Sequence, residues 1–261
     1  MTEAPIIFDR SAVRRQRERA ARSIGSVAGL LGDFAARLIE RLDDTTRRFS
    51  RALDLGGRGV VAPLLRARGI TVVAGDLSAR MAALSGAPCL ALDEEFLPFA
   101  PASFDLVIAS LALHWINDLP GALIQIRRAL APGGLFLASV PLLGTLSELR
   151  AAVLATEAEI SGGAAARVAP FPDLRDCAGL LQRAGFHLPV VDSEEIALLY
   201  ADPRALLGDL RAAGEGNALA ARSRRIPPRA LFPAALAALP RSEGRVWATL
   251  RFAVLTGWAP D

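Results

Sequence analysis

Short, nearly continuous apolar runs alternate along the chain with stretches in which apolar residues recur every third or fourth position. The runs Arg51–Leu55, Gly69–Gly75, Pro88–Leu92, Phe104–Ala109 and Leu135–Val140 have the length and character of strands, and the continuous Phe104–Ala109 that of a central one covered on both faces. Between them, Val61, Leu64 and Leu65, then Ser78 to Leu84, then Leu119, Leu123, Ile126 and Leu130 carry helical spacing. Strand and helix in alternation predict a parallel sheet wound on both faces. Ahead of it, Val27, Leu30, Leu31, Phe34, Leu38 and Leu42 form the stripe of an amphipathic helix that should pack on the sheet. Beyond it the pattern predicts helices over Leu146–Ile160 and Asp173–Ala184 and a strand over Val190–Tyr200. Helices broken by Gly214, Gly216 and Pro227-Pro228 follow, and Arg245–Trp258 reads as a last strand. The expected organisation is a helical arm over 1–45 and one α/β domain over 46–261, with a helical insertion at about 202–242.

Polar residues gather where the predicted strands end. Asp54-Leu55-Gly56-Gly57-Arg58-Gly59 follows the first strand and precedes a helix. Glycine there lets backbone N–H groups approach a ligand, and the helix N-terminus favours negative charge. The second strand ends in Asp76, about 20 residues on, where an acid can accept hydrogen bonds from ribose hydroxyls. The third runs into Asp93-Glu94-Glu95-Phe96-Leu97-Pro98-Phe99; Asp93 could accept from an adenine amino group or be a solvated acidic turn. The fourth delivers Ser110-Leu111-Ala112-Leu113-His114-Trp115-Ile116-Asn117-Asp118 to the same edge, with Asp118 as a cap for the next helix. Ala131-Pro132-Gly133-Gly134 then turns the chain into the fifth strand. A nucleoside-containing cofactor is the natural ligand for such an edge.

Composition changes this picture little. With 261 residues and 52% hydrophobic content the chain can bury one sizeable core. No apolar run approaches the roughly 18 residues of a membrane span. All thirty basic residues are arginines, balanced by 27 acidic ones to a net charge of +3. The charges are interleaved and no basic stripe carries aromatics, so no nucleic-acid partner is expected. Arg10, Arg14, Arg15, Arg17, Arg19 and Arg22 concentrate in one early segment. Asp9 and Glu18 interrupt it, so it reads as a solvated helix face rather than a transit peptide. Cys89 and Cys177 stand alone, which fits a reducing compartment and gives no metal spacing.

Asp54-Leu55-Gly56, Asp76, Asp93 to Phe99, Ser103-Phe104-Asp105-Leu106-Val107 and Leu130 to Gly134, in that order, resemble class I S-adenosylmethionine-dependent methyltransferases. Leu111 to Pro120, Phe8-Asp9-Arg10, Thr145 to Arg150, Ala184-Gly185-Phe186 and Gly214-Glu215-Gly216-Asn217 narrow the resemblance to mitochondrial complex I assembly factor 5 and its bacterial relatives. The biotin-pathway malonyl-carrier-protein methyltransferase is a more distant kin. The resemblance implies a Rossmann-like α/β fold with a seven-stranded, mostly parallel sheet whose last strand is antiparallel, helices on both faces, and S-adenosylmethionine across the strand ends. It assigns the methionine part and ribose to Asp54, Gly56, Gly57, Gly59 and Asp76, and the adenine to Asp93 and Glu94, with Leu77, Ser110 and Leu111 beside them. The implied chemistry is methyl transfer to an unidentified acceptor. The narrower kin imply instead arginine hydroxylation of a respiratory complex I subunit, or an assembly factor that has lost its cofactor. The setting would be the bacterial cytoplasm, or the mitochondrial matrix in a eukaryote. The family loop is Asp-x-Gly-x-Gly-x-Gly, and here it is one residue shorter, which brings Arg58 close to the expected path of the cofactor.

Methyl transfer needs an aligned acceptor and sometimes a base. His114 is the candidate base, Trp115 a pocket wall, and Tyr200, the one tyrosine, a second candidate for orienting the acceptor. Arg150 and Arg167 could grip a substrate carboxylate as bidentate forks or pair with glutamates such as Glu157. The two histidines lie far apart and no metal triad can be read.

Overall fold

A computed structural model describes residues 6–261. Its helices are α1 (Arg10–Ala20), α2 (Ala28–Glu40), α3 (Val61–Ala67), α4 (Ala79–Ala83), α5 (Leu119–Ala129), α6 (Ser147–Ser161), α7 (Leu174–Arg183), α8 (Pro203–Ala212) and α9 (Leu231–Ala237). The strands are β1 (Arg51–Leu55), β2 (Thr71–Asp76), β3 (Cys89–Ala91), β4 (Phe104–Ser110), β5 (Leu130–Pro141), β6 (His187–Tyr200), β7 (Arg241–Ser242) and β8 (Arg245–Trp258).

The sheet runs β3-β2-β1-β4-β5-β8-β6. β1 to β5 are parallel, and β8 is antiparallel to both neighbours. The chain winds outward from β1 to β3, returns to the centre for β4, and winds the other way. Connections leave in opposite directions at the β1/β4 boundary, the switch point beside which open α/β sheets bind ligands at the strand ends. Successive side chains point to opposite faces, so each central strand feeds two cores. Ala52, Leu106, Ile108, Leu135 and Leu137 pack with α2 and α3. Leu53, Leu55, Val107, Ala109, Phe136 and Ala138 pack with α5 and α7. Continuous apolar runs in the sequence follow from this double coverage.

Local signals set the ends of the elements. Asp118 accepts from the Gly121 N–H at 2.9 Å and caps α5, with Pro120 in the first turn where its missing N–H costs nothing. Asp173 and Asp176 form a reciprocal cap on α7.

Two expectations need correction. The sheet has an eighth strand, β7, a two-residue piece paired with β8. Its hairpin turns through Glu243 and Gly244, both at positive φ (50° and 76°). Glu-Gly is a weaker cue for such a turn than Asn-Gly, so the segment reads as the end of the helical insertion. The arginine-rich segment is also not simply a solvated face: Ala12, Val13, Arg17 and Ala20 of α1 are buried. Phe8 pairs with Leu219, the Phe8 and Ile7 N–H groups both donate to Asn117 Oδ1 at 2.8 Å, and Arg222 pairs with Asp9 at 2.7 Å. The arm is thus fastened across the strand ends.

At the end of β1, Asp54 is buried and its Oδ2 accepts from the Ala62 N–H in the first turn of α3, at 3.1 Å. Burial pushes its carboxyl up to about 7, against the pull of that N–H donor. A carboxyl raised on folding contributes stability that is complete below its unfolded value of about 4 and disappears as pH rises through the folded one. Thermal unfolding of wild type followed from about pH 4 to about pH 8 should therefore show a loss of stability that Asp54→Asn removes. A wild type and variant with parallel profiles would show that Asp54 is ionised in the fold.

Candidate active site

The glycine loop takes left-handed backbone at Gly56 (φ 70°), Arg58 (φ 53°) and Gly59 (φ 83°). Gly57 does not. Its lack of a side chain answers a different need, since a Cβ there would overlap the Asp54 carboxylate. The shortened loop thus places a bulky residue at a conformation that favours glycine. Arg58 extends into the protein, 4% exposed, and its Nη2 donates to the Leu111 carbonyl at 2.8 Å and to Glu215. Burial, with the charge of Arg17 nearby, lowers its guanidinium to about 10.

The expected cofactor acids converge at this edge, and all but Asp54 are engaged by an arginine of α1. Arg17 Nη1 donates to Asp76 Oδ2 at 2.8 Å and reaches the Gly56 carbonyl at 3.5 Å; Asp76 Oδ1 accepts from the Ser78 N–H at 2.9 Å. Arg17 and Asp76 are each 1% exposed. Arg10 Nη2 donates to Asp93 Oδ1 at 2.6 Å and to Glu94, while its Nη1 donates to the Trp115 carbonyl at 3.0 Å. Burial pushes the Glu94 carboxyl up, against the pull of Arg10 and Arg17. Leu77 packs with Phe8, Trp115 and Phe171 beside these acids. Ser110 ends β4 in register with Ser139, and the Leu111 N–H donates to the Ser139 carbonyl and hydroxyl, both at 3.0 Å.

A second cluster lies past β4 and centres on Glu215, which precedes Gly216 in the loop after α8. One of its oxygens takes Arg58; the other accepts from His114 Nε2 and Trp115 Nε1, both at 2.7 Å. Burial alone would raise this carboxyl, but His114 and Arg58 hold it well below the usual range. An ionised carboxylate only accepts, so Nε2 carries the imidazole proton. Nδ1 is left without a partner.

His114, Trp115, Arg58 and Glu215 form part of the wall of a cavity of about 300 Å³. The rest is mainly aliphatic and aromatic, from Leu30 and Phe34 of α2 and Leu149 and Val153 of α6 to Leu207 and Leu210 of α8. Tyr200 also lines it; burial and the adjacent Asp209 push its phenol up, so it stays protonated. Arg167 reaches the wall but pairs with Glu157 (2.8 Å from Nε) and lies over the Phe232 ring. Arg150 donates to the Ala169 carbonyl at 2.5 Å and is not part of the wall. Of the two arginines expected at a substrate, one thus braces the loop after α6 and the other is neutralised. His187 opens β6 and is exposed. Among the described residues no group of three His, Cys, Asp or Glu side chains is placed to hold a metal ion.

Sequence reasoning missed Arg10, Arg17 and Glu215 as site residues. Arg10, Val13, Arg17 and Ala20 follow one another at helical spacing, and basic residues alternating with small apolar ones on one face were the available signal. Glu215 stood within a glycine motif of the resemblance, which gave no sign of its contacts with His114 and Trp115.

Residues 27–189 match a protein family described as a methyltransferase domain. The mitochondrial arginine-hydroxylase NDUFAF5 of Danio rerio is 35% identical over 97% of this chain and 83% of its own length. The malonyl-[acyl-carrier protein] O-methyltransferase of Methylovorus sp. (strain MP688) is 33% identical over 100% of this chain and 93% of its own. Among solved structures, a phosphoethanolamine N-methyltransferase of Haemonchus contortus in complex with S-adenosyl-L-methionine superposes with a TM-score of 0.54. It has 17% identity and covers 87% of this chain and 52% of that one, a likeness of fold alone. With its strand order, its acids at the strand ends and this agreement over most of its length, the chain belongs to the methyltransferase-domain family.

Proposed function

We propose that the chain binds S-adenosylmethionine at the ends of β1 to β3 and transfers its methyl group to an acceptor held in the cavity beside His114. The single observation that carries this reading is the convergence of Asp54, the glycine loop, Asp76 and the Asp93-Glu94 pair on one crevice of a methyltransferase-family fold.

The residues fit the cofactor in kind. Asp54 Oδ1 and Arg58 Nε are buried without partners, one acceptor and one donor at the loop. An amino-acid end needs both kinds of group, and Asp76 and Asp93 supply the acceptors suited to ribose hydroxyls and an adenine amine. When bound, the cofactor supplies an electrophilic methyl on a sulfonium.

The chain's own part is to orient the acceptor, exclude water and remove a proton. Glu215 fixes the imidazole by accepting from Nε2 and compensates the charge it gains when Nδ1 takes a proton. Trp115 walls the cavity, and its indole N–H is held by the same carboxylate. The aliphatic lining suits an acceptor with a largely apolar body and keeps bulk water from the reacting atoms.

A second reading, hydroxylation of an arginine in a protein of respiratory complex I, is favoured by the identity to NDUFAF5. Reaction with a candidate protein acceptor and mass spectrometry of the product separates the two, since one adds a methyl group and the other an oxygen atom. The setting for either is the bacterial cytoplasm, or the mitochondrial matrix in a eukaryote. No helix among the described residues is long and apolar enough to cross a membrane.

Calorimetric titration with S-adenosylmethionine should give a saturable signal in the micromolar range, and Asp76→Asn should weaken it by about a factor of ten or more. No signal from wild type would remove the cofactor reading. With a methyl acceptor in hand, His114→Asn should slow turnover by about 10² to 10⁴-fold with the cofactor titration unchanged. Glu215→Gln should shift the pH-rate profile rather than abolish the rate. Full activity in His114→Asn would exclude the imidazole as base.

A further inference from the structure

In α1, two arginines are turned inward. Arg17 is the largest fully buried side chain in the described part of the molecule and lies opposite Asp76, fifty-nine residues further along. Arg10, two turns earlier on the same face, reaches Asp93 and Glu94. These are the three acids of the crevice to which the proposed cofactor reading assigns ribose and adenine.

A buried ion pair is a poor stability device. Removing two charges from water costs several kcal/mol per ion, and well-packed apolar residues in the same volume are often as stable or more so. The remaining buried positions of α1, Ala12, Val13 and Ala20, are small and apolar and anchor the helix without help from charge. The pairs are also incompletely satisfied: Arg10 Nε and Arg17 Nε are buried and have no hydrogen-bond acceptor, and the contact from Arg17 to the Gly56 carbonyl is long at 3.5 Å. Such groups lose little when an incoming ligand offers a better set of partners.

We propose that Arg17 and Arg10 are internal counter-ligands of the cofactor crevice: in the free chain they hold Asp76 and the Asp93-Glu94 pair, and an adenosyl ligand binds by displacing them. They thereby set its affinity. The proposal rests on the methyltransferase reading of the crevice and adds a competitor to it. The helix itself need not leave. Residues 7–9 are held by Asn117, Leu219 and Arg222, and Glu18 accepts from the Ser78 hydroxyl at 2.5 Å. Rotation of two long side chains is the smaller movement that frees the acids.

The apparent affinity of a site that is open only part of the time falls in proportion to its open fraction. Titration of the full chain with S-adenosylhomocysteine should therefore give tighter binding in Arg17→Met than in wild type, by about tenfold for a site open about a tenth of the time. Arg10→Gln should tighten binding by a smaller factor. Equal or weaker binding in both variants, with wild type binding, overturns the proposal alone and would make the arginines ordinary ligand contacts or supports. Silence from all three proteins overturns the cofactor reading and the proposal together. Arg17→Met leaves Asp76 without its cation, so its folding is checked by circular dichroism, and a second measurement uses wild type. In the ¹⁵N-labelled chain, the arginine side-chain resonances of Arg17 and Arg10 should change from hindered to mobile as S-adenosylhomocysteine saturates the site. A saturated complex in which both stay hindered and unshifted sinks the displacement.

Discussion

A carboxylate taken out of water must be matched by a cation or by hydrogen-bond donors, and this constraint organises the functional half of the molecule. Asp76, Glu94 and Glu215 are all withdrawn from solvent at one edge of the sheet, and each meets a guanidinium from another part of the chain. Arg17 and Arg10 come from α1, Arg58 from the glycine loop. Asp54, which has no arginine in contact, is the carboxyl that burial drives up to about 7. Burial raises Glu94 as well in spite of its arginines, whereas Glu215, beside His114 and Arg58, is held well below the usual range.

The sheet order makes this gathering unavoidable. β1 and β4 are neighbours although two complete strand-helix units separate them in sequence, so the loops after β1, β2 and β4 open on the same side. The helical insertion between β6 and β8 contributes the opposite wall. Its α8 supplies much of the cavity lining, and the loop following α8 supplies Glu215. Arg58 and Leu111, hydrogen-bonded to each other, join the glycine loop to the cavity they line.

Much of this edge was legible in the sequence because its cause is local. A strand that ends in Asp54 before glycines, or in Asp76 before a helix cap, reads the same way in isolation, and the apolar runs announce double coverage. The role of Gly57 was legible only in outline: the sequence pointed to close approach of a ligand to the backbone, while the structure points to the room taken by Asp54. The burial of Arg17 was not legible, since an arginine at a helical position is most often solvated and its partner lies far along the chain. Glu215 was hidden for the same reason. It contacts His114 and Trp115 a hundred residues earlier, and nothing in its neighbours signals those contacts. Short-range pattern predicts where backbone goes; the pairing of distant charges is settled only by the assembled topology.

That topology also ties the glycine loop to the acceptor cavity. Glu215 divides its carboxylate between Arg58 on one side and His114 with Trp115 on the other. Any ligand that moves Arg58 from one oxygen withdraws a positive charge from the same carboxylate that holds the imidazole. The shortened loop thereby acquires a physical meaning. By setting an arginine where glycine-like backbone is required, it places a charge at the contact between the glycine loop and the cavity.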